Sequence, residues 1–318
     1  MSVRKVGEAG FSDFLVCQRA GLNEVLDHIK NVIDWDCVEK QLASIEPSSL
    51  GAPGYPAVHM LRCLFLGELY GLSDPALEAA ISDRLSFRRF AGFSLDDAVP
   101  DHSTLWRFRD GLRVAGLDKV VFEAINRQLD DQGLILRSGT ILDATIIEAQ
   151  ASRPRKGKKT SPVDKDARFA KKAGKNYYGY KGHVGMDEGS GLIRSQILTP
   201  ANRNDTEPAD ELIMGDEAAV YADQAYDKHA RRAGLKARGI KPRIMFRPNK
   251  HHPKLPARKA LFNRLVSPTR STVERIFGDM KRLRGWRMVR SYSLARNATR
   301  FALLCSILNI KRAVVLLQ

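Results

Sequence analysis

Residues 140–148 change the hydrophobic pattern of the chain and constrain its fold more than any other segment. The run Thr-Ile-Leu-Asp-Ala-Thr-Ile-Ile-Glu is rich in β-branched residues and carries apolar side chains on both of its faces. A strand that is apolar on both faces is typical of the centre of a sheet whose two sides are covered. This segment therefore predicts a central strand and, with it, an α/β domain.

The segments around and after this strand predict an α/β domain over 136–318. Residues 182–187 and 192–199 flank a glycine-containing turn and form an expected β-hairpin. A helix is expected to begin near Asn204 or Asp205. The later elements are predicted as strands over 218–223 and 243–246 and helices over 228–237, 271–284 and 297–315. Antiparallel strands, followed by parallel strands that helices connect, are the element order of a ribonuclease-H-like fold, a mixed sheet with flanking helices.

The chain before residue 136 shows helical periodicity instead. Apolar residues recur three to four positions apart in 22–33 and 56–70. Ser73 and Asp101 stand where the N-caps of two further helices are expected. We therefore predict an all-helical N-terminal domain over 1–135.

Arginine pairs make this helical domain a candidate for DNA-end recognition. Arg88-Arg89 and Arg107-x-Arg109 lie in short helical segments that resemble a helix-turn-helix DNA reader. The alternative is an ordinary helical bundle with surface arginines. The acidic balance of the domain weighs against DNA contact.

Charge is distributed very unevenly along the chain. The 318 residues include 52 Lys and Arg against 36 Asp and Glu, a net charge of +16. Residues 1–135 carry 14 basic and 20 acidic side chains, whereas residues 136–318 carry 38 basic and 16 acidic ones. From residue 228 onward there are 24 basic side chains and two acids. A basic excess confined to one domain predicts a polyanionic partner, most simply nucleic acid.

Residues 152–176 predict a flexible basic segment within the second domain. They combine many lysines and arginines with proline and glycine and contain few apolar side chains. We expect this segment to become ordered on DNA. Its candidate DNA contacts are Arg153, Arg155, Lys156, Lys158 and Lys159.

Three carboxylates of the second domain lie where acidic side chains are uncommon. Asp143 is in the middle of an apolar strand, where a carboxylate is unfavourable unless a cation or hydrogen-bond donors meet it. Asp223 ends a predicted strand, at the edge where ligands of open α/β sheets bind. Glu274 borders the apolar stripe of a predicted helix, on the same side as Arg270 and Lys281.

Each carboxylate has a structural alternative when it is considered alone. Asp143 would accept a hydrogen bond within the strand, Asp223 would cap a turn, and Glu274 would pair with Arg270 four residues earlier. Considered together, in a basic domain whose element order brings two strands and a late helix to one place, they favour a Mg²⁺ or Mn²⁺ site. Two such ions can activate an attacking oxygen and stabilise a leaving oxygen in phosphodiester displacement.

Several ordered motifs carry a family resemblance. They are Leu-Asp143-Ala-Thr-Ile-Ile, Tyr180-Lys-Gly-His-Val-Gly-Met-Asp187, Thr199-Pro-Ala-Asn-Arg-Asn-Asp205, Val220-Tyr-Ala-Asp223-Gln-Ala-Tyr-Asp227, and Arg270 followed by Glu274 and Lys281. Together they resemble the DDE transposases of the insertion-sequence-five group. Residues 56–93 and 100–112 resemble the helical N-terminal domain of that group.

The resemblance implies a ribonuclease-H-like catalytic domain that cleaves DNA strands and transfers them to a target. It also implies that Asp143, Asp223 and Glu274 form the catalytic and metal-binding triad. Transposases with the related tyrosine-arginine-glutamate-lysine pattern have a tyrosine three residues before the arginine. That position is Ser267 here, so the role of the tyrosine does not carry over.

Three more residues are candidates for contact with DNA beside the triad. Arg270 and Lys281 are expected to contact phosphates, with pairing on the helix surface as the alternative. Trp286, in the run Arg-Gly-Trp-Arg, is a candidate for stacking on a flipped base, with packing in the core as the alternative.

The sequence thus predicts a Mg²⁺-dependent transposase acting on double-stranded DNA, both element ends and target, as a homodimer or higher oligomer in the DNA complex. One alternative is a non-catalytic DNA-binding protein derived from a transposase, which the three intact carboxylates disfavour. The other is a nuclease of the same fold, which the helical domain and the basic C-terminal region disfavour.

The cysteines bear on the compartment. Cys17, Cys37, Cys63 and Cys305 lie far apart in apolar or helical segments, without a Cys-x-x-Cys pair. We therefore expect reduced thiols and a cytoplasmic location. No apolar run is long enough to span a membrane, and the first residues do not have the pattern of a signal peptide.

Overall fold

The chain divides into two units in the computed structural model, which describes residues 3–11, 13–14, 24–45, 53–154, 157–158, 160–172, 174–248 and 254–318. The first unit consists of Met1–Gln132 together with Ala302–Gln318, and the second is Gly133–Phe301. The division after Gln132 lies close to the predicted domain boundary. The C-terminal residues differ from the prediction, because they pack with the first unit although the chain enters them from the second.

The first unit is helical. Its helices are α1 (Glu24–Val32), α2 (Trp35–Leu42), α3 (Ala57–Leu69), α4 (Asp74–Asp83), α5 (Leu85–Ala91), α6 (His102–Val114) and α7 (Leu117–Asp131). Helix α3 is apolar around most of its circumference and is almost entirely buried, as expected of a central helix. The two predicted N-caps are confirmed: the side chain of Ser73 accepts a hydrogen bond from the N–H of Ala76, and that of Asp101 accepts one from Thr104.

Two arginines that the sequence offered as DNA contacts have internal partners in this unit. Arg88 is buried and donates to the main-chain carbonyls of Ser94 and Asp97, each at 2.6 Å. Arg109 is buried and forms a two-fold hydrogen-bonded ion pair with Asp74. Both guanidinium groups tie loops and helices of the unit together, which is why they are not available to DNA phosphates.

The second unit contains a six-stranded mixed sheet. Its strands are β1 (Thr140–Glu148), β2 (Arg168–Lys172), β3 (Lys175–Asp187), β4 (Ile193–Pro200), β5 (Ala219–Ala222) and β6 (Lys241–Ile244). The order is β2-β3-β1-β5-β6, with β4 also paired to β3. Strands β1 to β4 pair antiparallel, whereas β5 pairs parallel with β1 and with β6. Strand β1 is therefore central, and the predicted hairpin is confirmed as β3 and β4.

Helices flank this sheet. They are α8 (His229–Ala237), α9 (Ala257–Ser271), α10 (Val273–Leu283) and α11 (Leu294–Leu316), which begins in the second unit and ends in the first. Helix α9 is not anticipated by the sequence, because Val266 is its only buried residue and Pro268 interrupts its pattern. Leu261 and Leu265 are spaced four residues apart, as in a helix, but both are exposed and so form no buried apolar face.

Two other elements differ from the prediction. The helix expected near residue 204 is replaced by one 3₁₀ turn, Pro208–Asp210. A helix beginning at 204 would need the N–H of its fifth residue, and Pro208 has none. Strand β6 lies two residues before the predicted range, because its position is set by pairing with β5 and not by its own short pattern.

The prediction of a flexible segment over 152–176 is wrong for its second half, where β2 and the beginning of β3 form a hairpin. A buried carboxylate organises the approach to that hairpin. Oδ1 of Asp164 accepts hydrogen bonds from the hydroxyl of Tyr180 at 2.7 Å and from the N–H groups of Asp166 and Ala167. The basic composition of this segment does not indicate a hairpin, because the basic side chains of β2, including Arg168, are not buried.

No helix in the described part of the chain is long and apolar enough to cross a membrane.

The close packing of β1 against β3 gives a first prediction. A Cβ atom on Gly179 would overlap the carbonyl oxygen of Ile147 and lie 2.7 Å from the N atom of Ala149. Gly179→Ala should therefore lower the free energy of unfolding by about 2 kcal/mol or more. Gly234→Ala is the matched control, because Gly234 is helical with no atom within 4 Å of its added Cβ, and it should stabilise by up to about 1 kcal/mol. Thermal melting followed by circular dichroism compares the two, and equal melting temperatures would contradict this account of the sheet.

Candidate active site

Asp143 and Asp223 lie side by side on neighbouring strands. Strands β1 and β5 run parallel, and the last pair of their register joins Leu142 to Ala222. The next step along both strands brings Asp143 beside Asp223. Because side chains alternate together along registered strands, both carboxylates project to the same face of the sheet.

Burial dominates the environment of Asp143. Its side chain is 17 % exposed, and burial raises the pKa of its carboxyl from near 3.8 to about 6. The N–H of Ala144, which donates to Oδ1 at 2.8 Å, and the guanidinium of Arg270 oppose this shift, whereas the charge of Asp223 adds to it. Such a carboxyl can exchange a proton for a cation near neutral pH.

Arg270, near the C-terminal end of α9, connects the three predicted carboxylates. Its Nη2 atom lies 2.5 Å from Oε1 of Glu274 and 3.7 Å from Oδ2 of Asp143. Burial lowers the pKa of Arg270, but Asp143, Glu274 and Asp223 together outweigh burial and raise that pKa. The structure therefore brings Asp143 and Glu274 to one guanidinium group, and Asp223 contributes to the electrostatic field at that group.

The structural alternatives for the three acids are also realised, although each occupies one oxygen only. Oδ1 of Asp143 accepts from Ala144, and Oδ1 of Asp223 accepts from the N–H of Ala225 at 2.7 Å. Oε1 of Glu274 accepts from Arg270. The second oxygens of Asp223 and Glu274 accept no hydrogen bond from a described residue, whereas that of Asp143 faces Arg270 at 3.7 Å.

The chemistry of this donor set fits a hard divalent cation, which prefers carboxylate oxygens. Among the described residues, however, no three acid, histidine or cysteine side chains already stand close enough together to enclose an ion. The side chain of Glu274 is 64 % exposed and forms an ion pair with Arg270. To act as a third ligand, Glu274 would therefore have to exchange its contact with Arg270 for a contact with the ion.

Tyr226 and Asp205 extend this site beyond the residues that the sequence singled out. Tyr226 is 1 % exposed, and its hydroxyl has no hydrogen-bond partner among the described residues. Burial raises the pKa of Tyr226 well above its usual value, and the charges of Asp143, Asp205 and Asp223 raise it further. The hydroxyl therefore lies in the field of three carboxylates.

Asp205 reaches this neighbourhood from the loop after β4. Its Oδ1 accepts a hydrogen bond at 2.7 Å from Nζ of Lys181 on β3, which also donates to the carbonyl of Arg203. The sequence suggested a helix cap for Asp205, and no such helix forms. The sequence signal for Tyr226 is the run Asp223-Gln-Ala-Tyr226, because it places the tyrosine one short turn after a candidate catalytic acid.

Lys281 lies on α10 in a second cluster of charges. Burial lowers the pKa of Lys281, and the nearby cations Lys172 and Arg287 lower it further, whereas Glu148 opposes them. Glu148 ends β1, so this basic cluster lies toward the other end of the strand that carries Asp143.

Trp286 requires a correction, because it is 5 % exposed and packs against Phe301 with ring centroids 5.6 Å apart. The indole belongs to the core of the second unit, so its face is not available to a DNA base. Arg153 and Lys158 are exposed. The remaining predicted contacts of that segment, Arg155, Lys156 and Lys159, lie outside the described residues.

The buried acid gives a prediction for the metal-free protein. A carboxyl whose pKa is about 6 in the folded state and near 3.8 in the unfolded state stabilises the fold below pH 4, and this contribution is lost as pH rises through 6. Asp143→Asn should therefore raise the stability of the metal-free protein by about 3 kcal/mol above pH 7, and by less at pH 5. Thermal melting in chelator at both pH values measures this difference. Asp131→Asn, which removes an exposed carboxylate, is the control, and a gain at Asp143 that does not depend on pH would contradict the assignment.

Two family models match the chain. Residues 16–111 match a model described as Transposase domain (DUF772), and residues 135–310 match a model described as Transposase DDE domain. No solved structure matches. The DDE transposases act as nucleases and transesterases on DNA and generally use divalent metal ions. Because the second match spans more than half of the sequence, this chain belongs to the DDE transposases and is a DNA-binding transposase.

Proposed function

We propose that this transposase is a member of the insertion-sequence-five group and that Asp143, Asp223 and Glu274 are its catalytic carboxylates. The observation that carries the proposal is the parallel register of β1 and β5, which sets the two aspartates side by side. The common contact with Arg270 adds Glu274. The strand order supports a ribonuclease-H-like fold, since a central strand pairs with an antiparallel hairpin on one side and with parallel strands on the other.

Asp143 and Asp223 would hold Mg²⁺ or Mn²⁺, with Glu274 as the third ligand. When bound, the ions supply an activated oxygen nucleophile and stabilise the leaving oxygen of the phosphodiester. Asp143 contributes a carboxyl that ionises near pH 6 and is therefore available at neutral pH. Arg270 offsets the mutual repulsion of the acids, because its guanidinium lies 3.7 Å from Oδ2 of Asp143 while it binds Oε1 of Glu274.

DNA phosphates are expected beside this site. Lys281 is crowded by Lys172 and Arg287, and an anion between them would relieve their repulsion. Arg270 is a candidate for a phosphate contact once its carboxylate partners bind metal. The exposed Arg153 and Lys158, with the other basic residues of their segment, are further candidates.

Two predictions about the whole protein remain. An insertion element has two ends, so we expect a homodimer or higher oligomer in the DNA complex. A cytoplasmic location remains the expectation from the cysteines, and the free thiols Cys63 and Cys305, both buried, are consistent with it.

The triad gives the central test. Asp143→Asn, Asp223→Asn and Glu274→Gln keep the size of each side chain and remove its charge, so each should abolish Mg²⁺-dependent cleavage of a duplex that carries an element end. Binding of that duplex should persist, because loss of a negative charge does not weaken attraction to phosphate. Cleavage, duplex binding and thermal melting are measured for each variant.

Glu207→Gln is the matched control for this test. Glu207 is half-exposed in the same unit and forms an ion pair with Arg203 on the surface. The control should cleave at the parental rate. Any triad variant that folds normally and cleaves like the control would remove that residue from the catalytic set.

Tyr226 gives a test of the surroundings of the triad. We propose that its hydroxyl donates to a carboxylate that binds metal and so positions that carboxylate. Tyr226→Phe removes a buried hydroxyl that has no partner in the described structure, so the melting temperature should stay the same or rise. The Mg²⁺ concentration for half-maximal cleavage should rise about 10-fold or more, as when an outer-shell partner of a metal ligand is removed. A fall in melting temperature with an unchanged Mg²⁺ dependence would instead assign the hydroxyl a purely structural role.

A further inference from the structure

We propose that an open groove along the edge strand β6 binds one unpaired strand of DNA through its phosphates and one base. The proposal deepens the proposed function in one respect, since it takes DNA as the substrate, but it does not depend on the identity of the catalytic carboxylates. The groove has a volume of about 530 Å³ and is formed by α8, β6 and α9. Its chemically informative lining residues are Arg232, Lys236, Lys241, Arg243, Phe246 and Phe262.

The cations of the groove are available to a ligand. Among the described residues, no acidic side chain lines it. Lys236, Lys241 and Arg243 are exposed, and none of them forms an ion pair with a carboxylate of the described residues. Arg232 differs, because it is fixed by Asp227 at 2.6 Å and by the carbonyl of Ile244. The groove therefore combines one anchored guanidinium with three cations that have no anionic partner, which is complementary to a row of phosphates.

Two aromatic rings form the apolar part of the groove. The centroids of Phe246 and Phe262 are 5.1 Å apart. Phe246 is already covered by cations, with the guanidinium of Arg232 at 4.1 Å and the ammonium of Lys259 at 5.0 Å from its centroid. The guanidinium of Arg243 lies over the ring of Phe262 at the longer distance of 6.0 Å, so Phe262 is the less closely covered ring and the one we assign to a base. An aromatic ring among cations is the combination by which proteins bind single strands, because only an unpaired base exposes its face.

Two hydrogen bonds fix the main chain at Phe246 relative to α9. The N–H of Phe246 donates to Oδ1 of Asn263 at 2.8 Å, and the amide of Asn263 donates back to the carbonyl of Phe246 at 3.0 Å. These two bonds join the segment after β6 to α9 directly beside Phe262. The two aromatic residues are therefore positioned next to each other before a strand binds.

The groove begins near the carboxyl ends of β5 and β6, and Asp223 directly follows β5. Ile244 pairs with Ala222, the residue before Asp223, so Phe246 lies just beyond the same ends of the parallel strands. Lys241 lies about 16 Å away along the extended chain, at about 3.3 Å per residue. A strand in this groove would thus pass from the carboxylates along the free edge of the sheet.

The competing explanation is that lysine, arginine and proline on β6 only prevent edge-to-edge pairing of sheets. Lys241, Pro242 and Arg243 have the residue types expected for that role. This explanation does not require cations on α8 or an aromatic pair beside them, whereas strand binding requires both. It also predicts a different result when the charges are removed.

The test uses the full-length protein in metal-free buffer with a fluorescein-labelled 20-nucleotide oligo-dT. The groove variant is Lys236→Gln, Lys241→Gln and Arg243→Gln combined, and the charge-matched control is Lys40→Gln, Lys119→Gln and Arg127→Gln, three exposed cations of the first unit. The groove variant should bind at least 10-fold more weakly than the control at 0.15 M salt. The slope of log affinity against log salt should be less steep by about 2, at about 0.7 per lost phosphate contact on a single strand.

A single substitution tests the base contact. Phe262→Leu retains an apolar side chain and should weaken oligo-dT binding about five-fold or more, with the salt slope unchanged. On a fully paired duplex of the same length, this variant should bind like the parent. If the variant lost as much affinity for the duplex as for oligo-dT, the loss would reflect a general effect on the groove and not the loss of base stacking.

The outcomes separate the groove from the catalytic site. Equal affinities of the groove and control variants would overturn the proposal, and so would new self-association of the groove variant with parental DNA affinity, which would assign β6 to edge protection. Circular dichroism and melting confirm that each variant is folded. If the parent failed to cleave DNA in Mg²⁺, the proposed catalytic function would fail, while binding in metal-free buffer would still decide the groove.

Discussion

The contacts around the candidate site in the second unit depend on one carboxylate, Asp143, which lies within the central strand of the sheet. Burying the charge of Asp143 without a partner is unfavourable, and the rise of its pKa to about 6 expresses that cost. The surrounding structure offers the carboxylate one N–H donor, one guanidinium at 3.7 Å and a neighbouring acid that makes the cost larger. A divalent cation would compensate the charges of both acids, which is the physical basis of the proposed metal site.

Arg270 shows how the protein manages this cost without an ion. Its guanidinium lies in the field of all three acids, and its raised pKa reflects that attraction. In the proposed metal site, Arg270 would hold the acids before an ion binds and would compete with the ion for Glu274. The exposed Glu274 would thus be the ligand most easily exchanged, whereas the positions of the two aspartates are set by the strands that precede or carry them.

The basic charge of the second unit divides into structural and available cations. Arg231 is buried and pairs with Asp210 at 2.7 Å, and Arg194 pairs with Asp216 at 2.6 Å. Arg194 connects a loop to strand β4 and Arg231 connects a loop to helix α8, and neither buried side chain is available to DNA. Lys236, Lys241 and Arg243 have no such partners in the described structure, so net charge overstates the number of cations that are available to a polyanion.

Sequence and tertiary structure determined different parts of this protein. Local chemistry is legible in the sequence: the caps Ser73 and Asp101, the hairpin of β3 and β4, and the two-sided apolar run of β1 all follow from the properties of neighbouring residues. The same holds for the unusual position of Asp143. Other features could not be predicted from the sequence, because each depends on partners distant along the chain. They are helix α9, the hairpin of β2, the burial of Trp286 and the loop that brings Asp205 toward Tyr226. The sequence alone determined the family to which the chain belongs, and it predicted the carboxylates that we propose carry the chemistry. Only the tertiary structure decided their neighbours, because a register between strands and the burial of a charge are properties of contacts that no local pattern encodes.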